Sequence, residues 1–406
     1  MQTVNELIAS NRVQPAVKTN VTAAATSRYA FIDLLRGVLI VLVIMLHAAI
    51  TYGASGDWTY IDAAPKDDIS IILLTLLVVY IQAFSMSLYF FFSGFFTPAS
   101  YDKKGPARFW KDRIMRLAIP MLVYTFLLSK IPNYLREVAN GGMQISIWEY
   151  SWKNMVRDAD GGPTWFLFAL LIFSAAYTIY RIIVKRNSLP DSTNKKLIPC
   201  PTNKGIIITT LIMSGLMFLI GQLSSINEAY RAFGWYSLML AFFPFYIIFF
   251  CAGILAYRNN WLNLLPKKFL KLWSWISLGL MLALPVFLIS TGAIETGFDA
   301  YISGFSWRCA TMCLWMGFTC TSLSLTLTLW LREKVKNGSG LASISGENNY
   351  AVYLIHPVIL VGFCVMIRFW VMNPMIKFLV ASLVTVVVSL MVAVILRRIP
   401  GMKKFI

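Results

Sequence analysis

Long apolar runs dominate the chain, and short polar segments separate them. A helix needs about 20 apolar residues to cross a hydrocarbon core roughly 30 Å thick. Runs of that length predict ten membrane-spanning helices, at 30–52, 69–97, 117–135, 164–184, 205–223, 235–257, 271–290, 305–331, 348–371 and 377–396. We therefore expect an all-α membrane protein, a bundle of about ten transmembrane helices that forms a single domain over residues 29–396.

The two ends of the chain are polar. Residues 1–28 are rich in Asn, Gln, Thr and Ala, which predicts a flexible tail, and residues 397–406 predict a short basic tail. The first apolar run begins near residue 31, exceeds the length of a signal peptide's apolar region and lacks a small-residue cleavage pattern. It is predicted to be a retained span.

Charge alternates from one connecting segment to the next. One set of segments is basic, and the other set, 53–68 and 291–303, is poor in Lys and Arg. By the positive-inside rule, the N- and C-termini are both predicted to be cytoplasmic, which an even number of spans requires. The basic set comprises Lys103, Lys104, Arg108, Lys111, Arg113 and Arg116; Lys185, Arg186, Lys195, Lys196 and Lys204; Arg258, Lys267 and Lys268; Arg332, Lys334 and Lys336; and Arg397, Arg398, Lys403 and Lys404.

Composition agrees with a multi-pass membrane protein. The chain of 406 residues is 58% hydrophobic and 13% charged, and its mean hydropathy is +0.67. The net charge of +18 is spread over separate connecting segments, so it is explained by topology and the lipid bilayer, and no nucleic-acid partner is expected. Six cysteines without metal-ligand or disulfide-framework spacing predict free thiols and no metal site.

Three ionisable residues lie on one stripe of the first span. Arg36 and His47 are eleven residues apart, which returns them to nearly the same helix face about 16 Å apart, and Asp33 falls on that face too. Ionisable groups inside a membrane are costly and usually functional. His47 is the candidate general base, with Arg36 and Asp33 as catalytic partners. The alternatives are a packing hydrogen bond for His47 and an interfacial anchor for the Asp33–Arg36 pair.

A second histidine occurs late in the chain. Pro357 follows His356 and is expected to remove a helix hydrogen bond and kink the ninth span, opening space for a ligand beside His356 and Tyr353. The alternative is a kinked packing helix whose histidine is satisfied. In the second span, Ser93 and Gly94 interrupt an aromatic run, and close helix contact competes with a ligand site there.

Three arginines are candidates for binding anionic groups. Arg113 and Arg116 share one face at the cytoplasmic mouth of the third span, where guanidinium groups can hold the phosphates of a donor such as a coenzyme A. The positive-inside signal and anionic lipid headgroups explain them at least as well. Arg308 lies at the outer edge of the eighth span and is a candidate for holding an acidic acceptor or an acyl carboxylate. No GxSxG elbow, P-loop, HExxH or HxxxxD motif is present.

Taken in order, these motifs resemble the acyltransferase 3 superfamily of integral membrane acyltransferases. The first-span Arg, ten residues, His pattern is met by Arg36 and His47, with Asp33 before it. The further matches are FFxSGF around Phe91 to Phe95, RxxRxxxP at Arg113, Arg116 and Pro120, WFL at Trp165 to Leu167, and YxIHP at Tyr353, Ile355, His356 and Pro357. Within the superfamily the chain is more similar to the branch that includes the glucan biosynthesis protein C type.

The resemblance implies an inner-membrane O-acyltransferase. Such an enzyme moves an acyl group, acetyl or succinyl, from cytoplasmic acyl-CoA to a hydroxyl of an extracytoplasmic carbohydrate or glycan, with no bound cofactor. On that basis His47, Arg36 and Asp33 are the catalytic candidates, and Arg113, Arg116 and Ser93 are the donor-binding candidates. An acceptor or second site would contain His356, Tyr353, Trp165 and Arg308.

Two other classes use intramembrane histidines. A transporter or exporter of an anionic or glycan solute would use Arg36, His47 and His356 as a relay. An enzyme of the other membrane-bound O-acyltransferase class would also depend on a histidine. The acyl group, the acceptor, the oligomeric state and the presence of an acyl-histidine intermediate stay open at this level.

Overall fold

The protein is almost entirely helical in a computed structural model that describes residues 29–142, 144–187, 197–223, 225–335 and 340–405. For residues 185–187, 294 and 340–345 only the backbone is described. The predicted tail 1–28, Lys195, Lys196 and Lys336 lie outside the described residues, as do the side chains of Lys185 and Arg186. The helices are α1 Ala30–Thr51, α2 Asp68–Arg113, α3 Ile119–Val123, α4 Lys130–Ala139, α5 Ile147–Lys153, α6 Trp165–Asn187, α7 Asn203–Ile220, α8 Phe243–Arg258, α9 Trp261–Leu264, α10 Lys267–Ser290, α11 Ala293–Thr296, α12 Asp299–Ile302, α13 Trp307–Lys334, α14 Gly340–Met366 and α15 Pro374–Arg398.

Nine helical segments of the described chain are long and apolar enough to cross a membrane. One of them, Asp68–Ala139, has 72 residues, or about 108 Å of helix, which is far longer than one crossing. It contains the predicted second and third spans, joined through two π-helical stretches, Ile114–Ala118 and Tyr124–Leu128. The segment therefore supplies two crossings, and the predicted bundle of about ten transmembrane helices is confirmed.

The predicted loop between the second and third spans is wrong. Residues 98–113 continue α2, and the direction changes at Gly105, whose φ of 72° lies in the left-handed region. Glycine adopts that conformation without a steric penalty, and Pro106 can begin the next helical arm because it needs no N–H partner there. The Lys, Arg and Ala residues on both sides are good helix formers, so high charge does not interrupt the helix.

The sixth span begins later than its hydropathy predicts. Two short antiparallel strands, β1 Tyr230–Ala232 and β2 Tyr236–Leu238, occupy the start of the predicted run. A three-residue connection joins the strands, and its first two residues, Phe233 and Gly234, have positive φ values of 53° and 78°. The helix itself begins at Phe243, with Pro244 in its first turn.

Two glycines allow α2 and α8 to pack in direct backbone contact. A Cβ atom on Gly94 would lie 2.1 Å from the carbonyl oxygen of Phe250, and one on Gly253 would lie 2.0 Å from that of Phe91. Small residues at helix crossings of this kind are typical of membrane proteins. For Gly94 the structure therefore favours helix contact, the commoner reason for glycine in a membrane helix.

The chain order assigns each connection to one end of the bundle. The basic end contains the Gly105 bend, the α7 N-terminus and the residues between α8 and α10. The opposite end, called here the far end, contains the connections 52–67, 140–164, 221–242, 291–306 and 367–373. At the far end, α5 exposes Trp148 and Trp152, and tryptophan is enriched at the interface between membrane and water. All six cysteines are free thiols.

Candidate active site

A cavity of about 1470 Å³ extends between the two ends of the bundle. At the basic end its wall includes Lys104, Asp112, Arg113 and Arg116. Its middle section includes side chains from α1, α2 and α6, and its far end includes side chains from the connections 52–67 and 140–164 and from the hairpin. The enclosed volume exceeds that of a typical small-molecule site, so it has room for an elongated ligand or for two ligands.

One stripe of α1 forms part of the cavity wall. Arg36, Val43, His47 and Ile50 line the cavity, and their spacing of seven, four and three residues keeps them on one helix face. Arg36 and His47 are thus brought to the same space. The hydroxyl of Tyr89 donates to the carbonyl oxygen of Arg36 at 3.0 Å, which ties this wall to α2.

Asp33 pairs with Arg36 but is not part of the cavity lining formed by the described residues. Its Oδ1 atom lies 3.7 Å from Arg36 Nη1, and both side chains are partly exposed. Asp33 also contacts α14, where the Asn349 amide donates to the Asp33 carbonyl at 3.3 Å. A Cβ atom on Gly346 would lie 2.8 Å from the Asp33 side chain. Asp33 therefore contacts α14 and pairs with Arg36 from a position outside the cavity lining.

His47 is held in a stack of three rings. The Trp58 indole lies against it with ring centroids 3.6 Å apart and planes 16° from parallel. The His356 imidazole lies 5.6 Å away, with planes 15° from parallel. Within the described residues, His47 Nδ1, Trp58 Nε1 and His356 Nε2 are buried atoms without a hydrogen-bond partner. Trp58 was not predicted as a site residue, because a tryptophan in a loop carries no local signal of its partner.

His356 lies behind His47, fully buried and away from the cavity lining. Its helix, α14, continues through Pro357 to Met366. The His356 Nδ1 atom lies 2.8 Å from the Tyr353 carbonyl oxygen, one turn earlier. Tyr353 itself lines the cavity, and its hydroxyl donates to the Pro163 carbonyl oxygen. The structure thus places Tyr353 in the cavity wall and His356 in the layer behind it.

The donor-binding candidates converge at the basic end. Arg113, Arg116 and Ser93 all line the cavity. Arg113 Nη2 donates to the Thr97 hydroxyl at 3.1 Å, and its guanidinium lies 4.8 Å from the centre of the Phe109 ring. These contacts hold one face of the guanidinium and leave other N–H groups for a ligand.

Trp165 and Arg308 differ in location. Trp165 lines the cavity and packs against Tyr246, with ring centroids 5.7 Å apart. Arg308 is outside the described cavity lining. Its guanidinium lies 5.6 Å from the Tyr301 ring and 5.9 Å from the Trp307 ring. Tyr301 is a lining residue, so Arg308 borders the cavity through that ring.

A buried ion pair fixes the loop that carries Trp58. Lys377 Nζ lies 2.7 Å from Asp62 Oδ2, and their side chains are 1% and 5% exposed. The Asp62 amide also donates to the Thr51 carbonyl oxygen at 2.9 Å. Sequence patterns missed this pair, since its members are 315 positions apart. The pair joins α15 to the loop 53–67 and so holds Trp58 against His47.

The far end of the cavity is rich in charged and amide side chains. Arginines, aspartates and asparagines from three connections and from α4 meet there, and they suit a polar, hydroxyl-rich ligand better than an apolar one. Tyr150 and the amide of Gly162 hold two of these aspartates, at 3.1 Å and 2.9 Å. The charged and amide groups are Asp57, Asn133, Arg136, Arg157, Asp158, Asp160, Asn227 and Arg231.

Comparison with known families identifies the family of this chain. The acyltransferase domain model of the acyltransferase 3 family matches residues 29–395, from just before α1 to the last turn of α15. The chain belongs to the acyltransferase 3 family. It is therefore a multi-pass membrane acyltransferase, and the resemblance read from its motifs is confirmed.

Family members with the name glucans biosynthesis protein C are similar to this chain. The protein from Salmonella paratyphi B is 24% identical over 400 residues, covering 93% of this chain and 94% of the relative, and the one from Salmonella enteritidis matches equally. The protein from Escherichia coli is 26% identical over 236 residues, which is 57% of this chain and 58% of the relative's length. No solved structure matches this acyltransferase significantly.

Proposed function

We propose that this acyltransferase moves an acetyl or succinyl group from cytoplasmic acyl-CoA to a hydroxyl of an extracytoplasmic carbohydrate. The observation that carries the proposal is one continuous cavity with Arg113 and Arg116 at one end, His47 on its wall and a polar far end. We place the protein in the inner membrane with the basic end and both termini in the cytoplasm, because the basic connections belong to that side. The relatives' name favours a glucan-type acceptor.

The reaction needs one base and one anion-binding group. His47 takes the proton of the acceptor hydroxyl as its oxygen attacks the thioester carbonyl carbon, and a C–O bond forms. The C–S bond then breaks, and the imidazolium returns the proton to the thiolate, which leaves as coenzyme A. Arg36, paired with Asp33, lies about 16 Å from His47 along α1 and holds the donor between its phosphates and the reacting thioester. Bond formation, bond cleavage and proton transfer balance without a metal or cofactor.

The donor extends along the cavity in this mechanism. Arg113 and Arg116 bind its phosphates at the basic end, where guanidinium groups form charge-assisted hydrogen bonds. Ser93, on α2, lines the cavity closer to the membrane interior than this pair. Trp165 and Tyr353 form part of the cavity wall on the acceptor side. Arg308 packs against the rings of Tyr301 and Trp307 at the border of the cavity.

Release of coenzyme A tests the proposal. Purified protein is incubated with acetyl-CoA or succinyl-CoA and a glucan oligosaccharide, and the free thiol is measured along with the mass of the acylated sugar. His47→Ala is expected to abolish both signals, because the hydroxyl loses its base. Val38→Ala is the matched control, since Val38 is exposed on the same helix outside the cavity lining. Full activity of His47→Ala would refute this assignment.

Reconstitution of the protein in proteoliposomes distinguishes an enzyme from a transporter. A transporter that uses Arg36, His47 and His356 as a relay would move an anionic or glycan solute across proteoliposomes without releasing coenzyme A. Acyl transfer is expected to depend on acyl-CoA supplied on the side that carries the basic end. Solute flux with no thiol release would overturn the acyltransferase mechanism and support the transporter.

A further inference from the structure

His356 has its tautomer fixed by the proline that follows it. Pro357 has no N–H, so the Tyr353 carbonyl, four residues earlier, loses its helix hydrogen bond. The His356 Nδ1 atom takes that place at 2.8 Å. A carbonyl oxygen can only accept, so Nδ1 must carry the proton. The neutral imidazole then has a lone pair at Nε2, its one remaining polar atom.

This lone pair lies next to the candidate base. His356 is 0% exposed, and its Nε2 atom has no partner among the described residues. A buried acceptor left unpaired is destabilising. The neighbouring ring is His47, whose centroid lies 5.6 Å away. The structure shows no hydrogen bond between the two rings, and a small shift of the rings within their own planes is needed to form one. The His47 Nδ1 atom is likewise buried and without a described partner.

We propose that His356 is a positioning residue that holds the His47 proton on Nδ1 and thereby makes His47 Nε2 the catalytic base. This inference rests on the proposed function for its catalytic meaning, but the tautomer is a property of the resting protein. Of the two His47 nitrogens, Nδ1 is the buried one and the ring lines the cavity. A proton on Nδ1 leaves the Nε2 lone pair for the acceptor hydroxyl.

The second ring of the stack prevents rotation away from this geometry. Trp58 covers a face of His47 at 3.6 Å, and the loop that carries it is held by the buried Asp62–Lys377 pair. During transfer the imidazolium keeps its Nδ1 proton on His356 and exchanges only the Nε2 proton. The charge that forms on His47 is therefore stabilised by an acceptor already in place.

Histidine NMR tests the proposal directly. The chain contains two histidines, so protein labelled with ¹⁵N-histidine and purified through a tag without histidine gives one pair of signals for each ring. Both rings are expected to be protonated at Nδ1. A wild-type His47 ring protonated at Nε2 would overturn the proposal whether or not any variant folds.

Variants separate positioning from packing. His356→Asn can still donate to the Tyr353 carbonyl but loses the acceptor at the ε position. The proton of His47 is then no longer held on Nδ1, and the tautomer protonated at Nε2 is expected to be populated. The rate constant kcat should fall about 10- to 100-fold with KM nearly constant, the range seen when the hydrogen bonds that support metal-ligating histidines are removed. His356→Gln, whose side-chain oxygen can accept, should recover most of the rate. Cys364→Ala, a buried change on the same helix, should alter neither property.

A further variant tests the proline. Pro357→Ala restores a backbone N–H that competes for the Tyr353 carbonyl, so His356 should lose its single tautomer and His47 should follow. An unchanged His47 tautomer in both His356→Asn and Pro357→Ala would refute the coupling. If acyl transfer failed entirely while the tautomers changed as described, the proposed function would fall and the histidine coupling would stand.

Discussion

The buried pair of Asp62 and Lys377 should dominate the stability of the far end. Lys377→Met removes the cation and leaves the Asp62 carboxylate buried, 5% exposed, without its partner at 2.7 Å. Breaking one side of such a pair costs about 3–5 kcal/mol. Neutralising both sides costs less, and Asp62→Asn keeps an oxygen for the Ala64 amide, which donates at 3.4 Å. The double variant should therefore be more stable than Lys377→Met alone.

Unfolding in mixed micelles of increasing SDS content measures these free energies. Tryptophan fluorescence follows the whole protein, and a cysteine probe in the loop 53–67 follows the local change. The exposed pair Lys153–Glu149, with side chains 62% and 45% exposed, provides the control, because loss of such a pair costs about 0–1 kcal/mol. Equal stability of Lys377→Met and wild type, or a double variant as unstable as the sum of the single variants, would refute the reasoning.

Two further substitutions test packing and donor binding. Gly94→Ala forces a Cβ atom into a backbone carbonyl 2.1 Å away and should cost about 1–3 kcal/mol; in Gly279→Ala the new atom has no neighbour within 4 Å, so equal SDS stability of the two variants would contradict the close crossing. Arg113→Gln removes a charged hydrogen bond worth about 1.5–3 kcal/mol and should raise KM for acyl-CoA about 10- to 100-fold. The exposed Arg108→Gln on the same helix should change KM little, and equal effects in steady-state kinetics would exclude a specific phosphate contact.

Much of the bundle follows from the sequence because membranes restrict the choice of structure. Backbone groups in lipid must bond within their own helix, so each long apolar run is a span almost by necessity. The predictions are wrong in segments outside the lipid, where the backbone is no longer restricted in this way. Residues 98–113 lie outside the apolar run, where charged side chains and helical backbone are compatible, and the helix continues. The start of the sixth run forms a hairpin because Phe233 and Gly234 adopt positive φ.

The candidate site is predictable in part for a related reason. Arg36 and His47 share a face through helix periodicity, a local property that spacing reveals. The contacts of His47 with Trp58 and His356 join three separate elements, and no local pattern encodes them. The same holds for Asp62 and Lys377, whose pairing depends on how the last helix packs. Sequence therefore predicted the wall of the cavity better than the layer behind it.

The cavity between the two ends of the bundle has an electrical consequence. A polar cavity replaces part of the low-dielectric barrier of the membrane. The membrane potential therefore falls mainly across the part of the protein that the cavity does not occupy. Each 100 mV is worth about 2.3 kcal/mol for every unit charge that crosses the full field. In the proposed orientation an inside-negative voltage draws the anionic coenzyme outward, toward the ring stack. In the proposed mechanism the arginines at the inner mouth must then retain the donor against this force as well as select it.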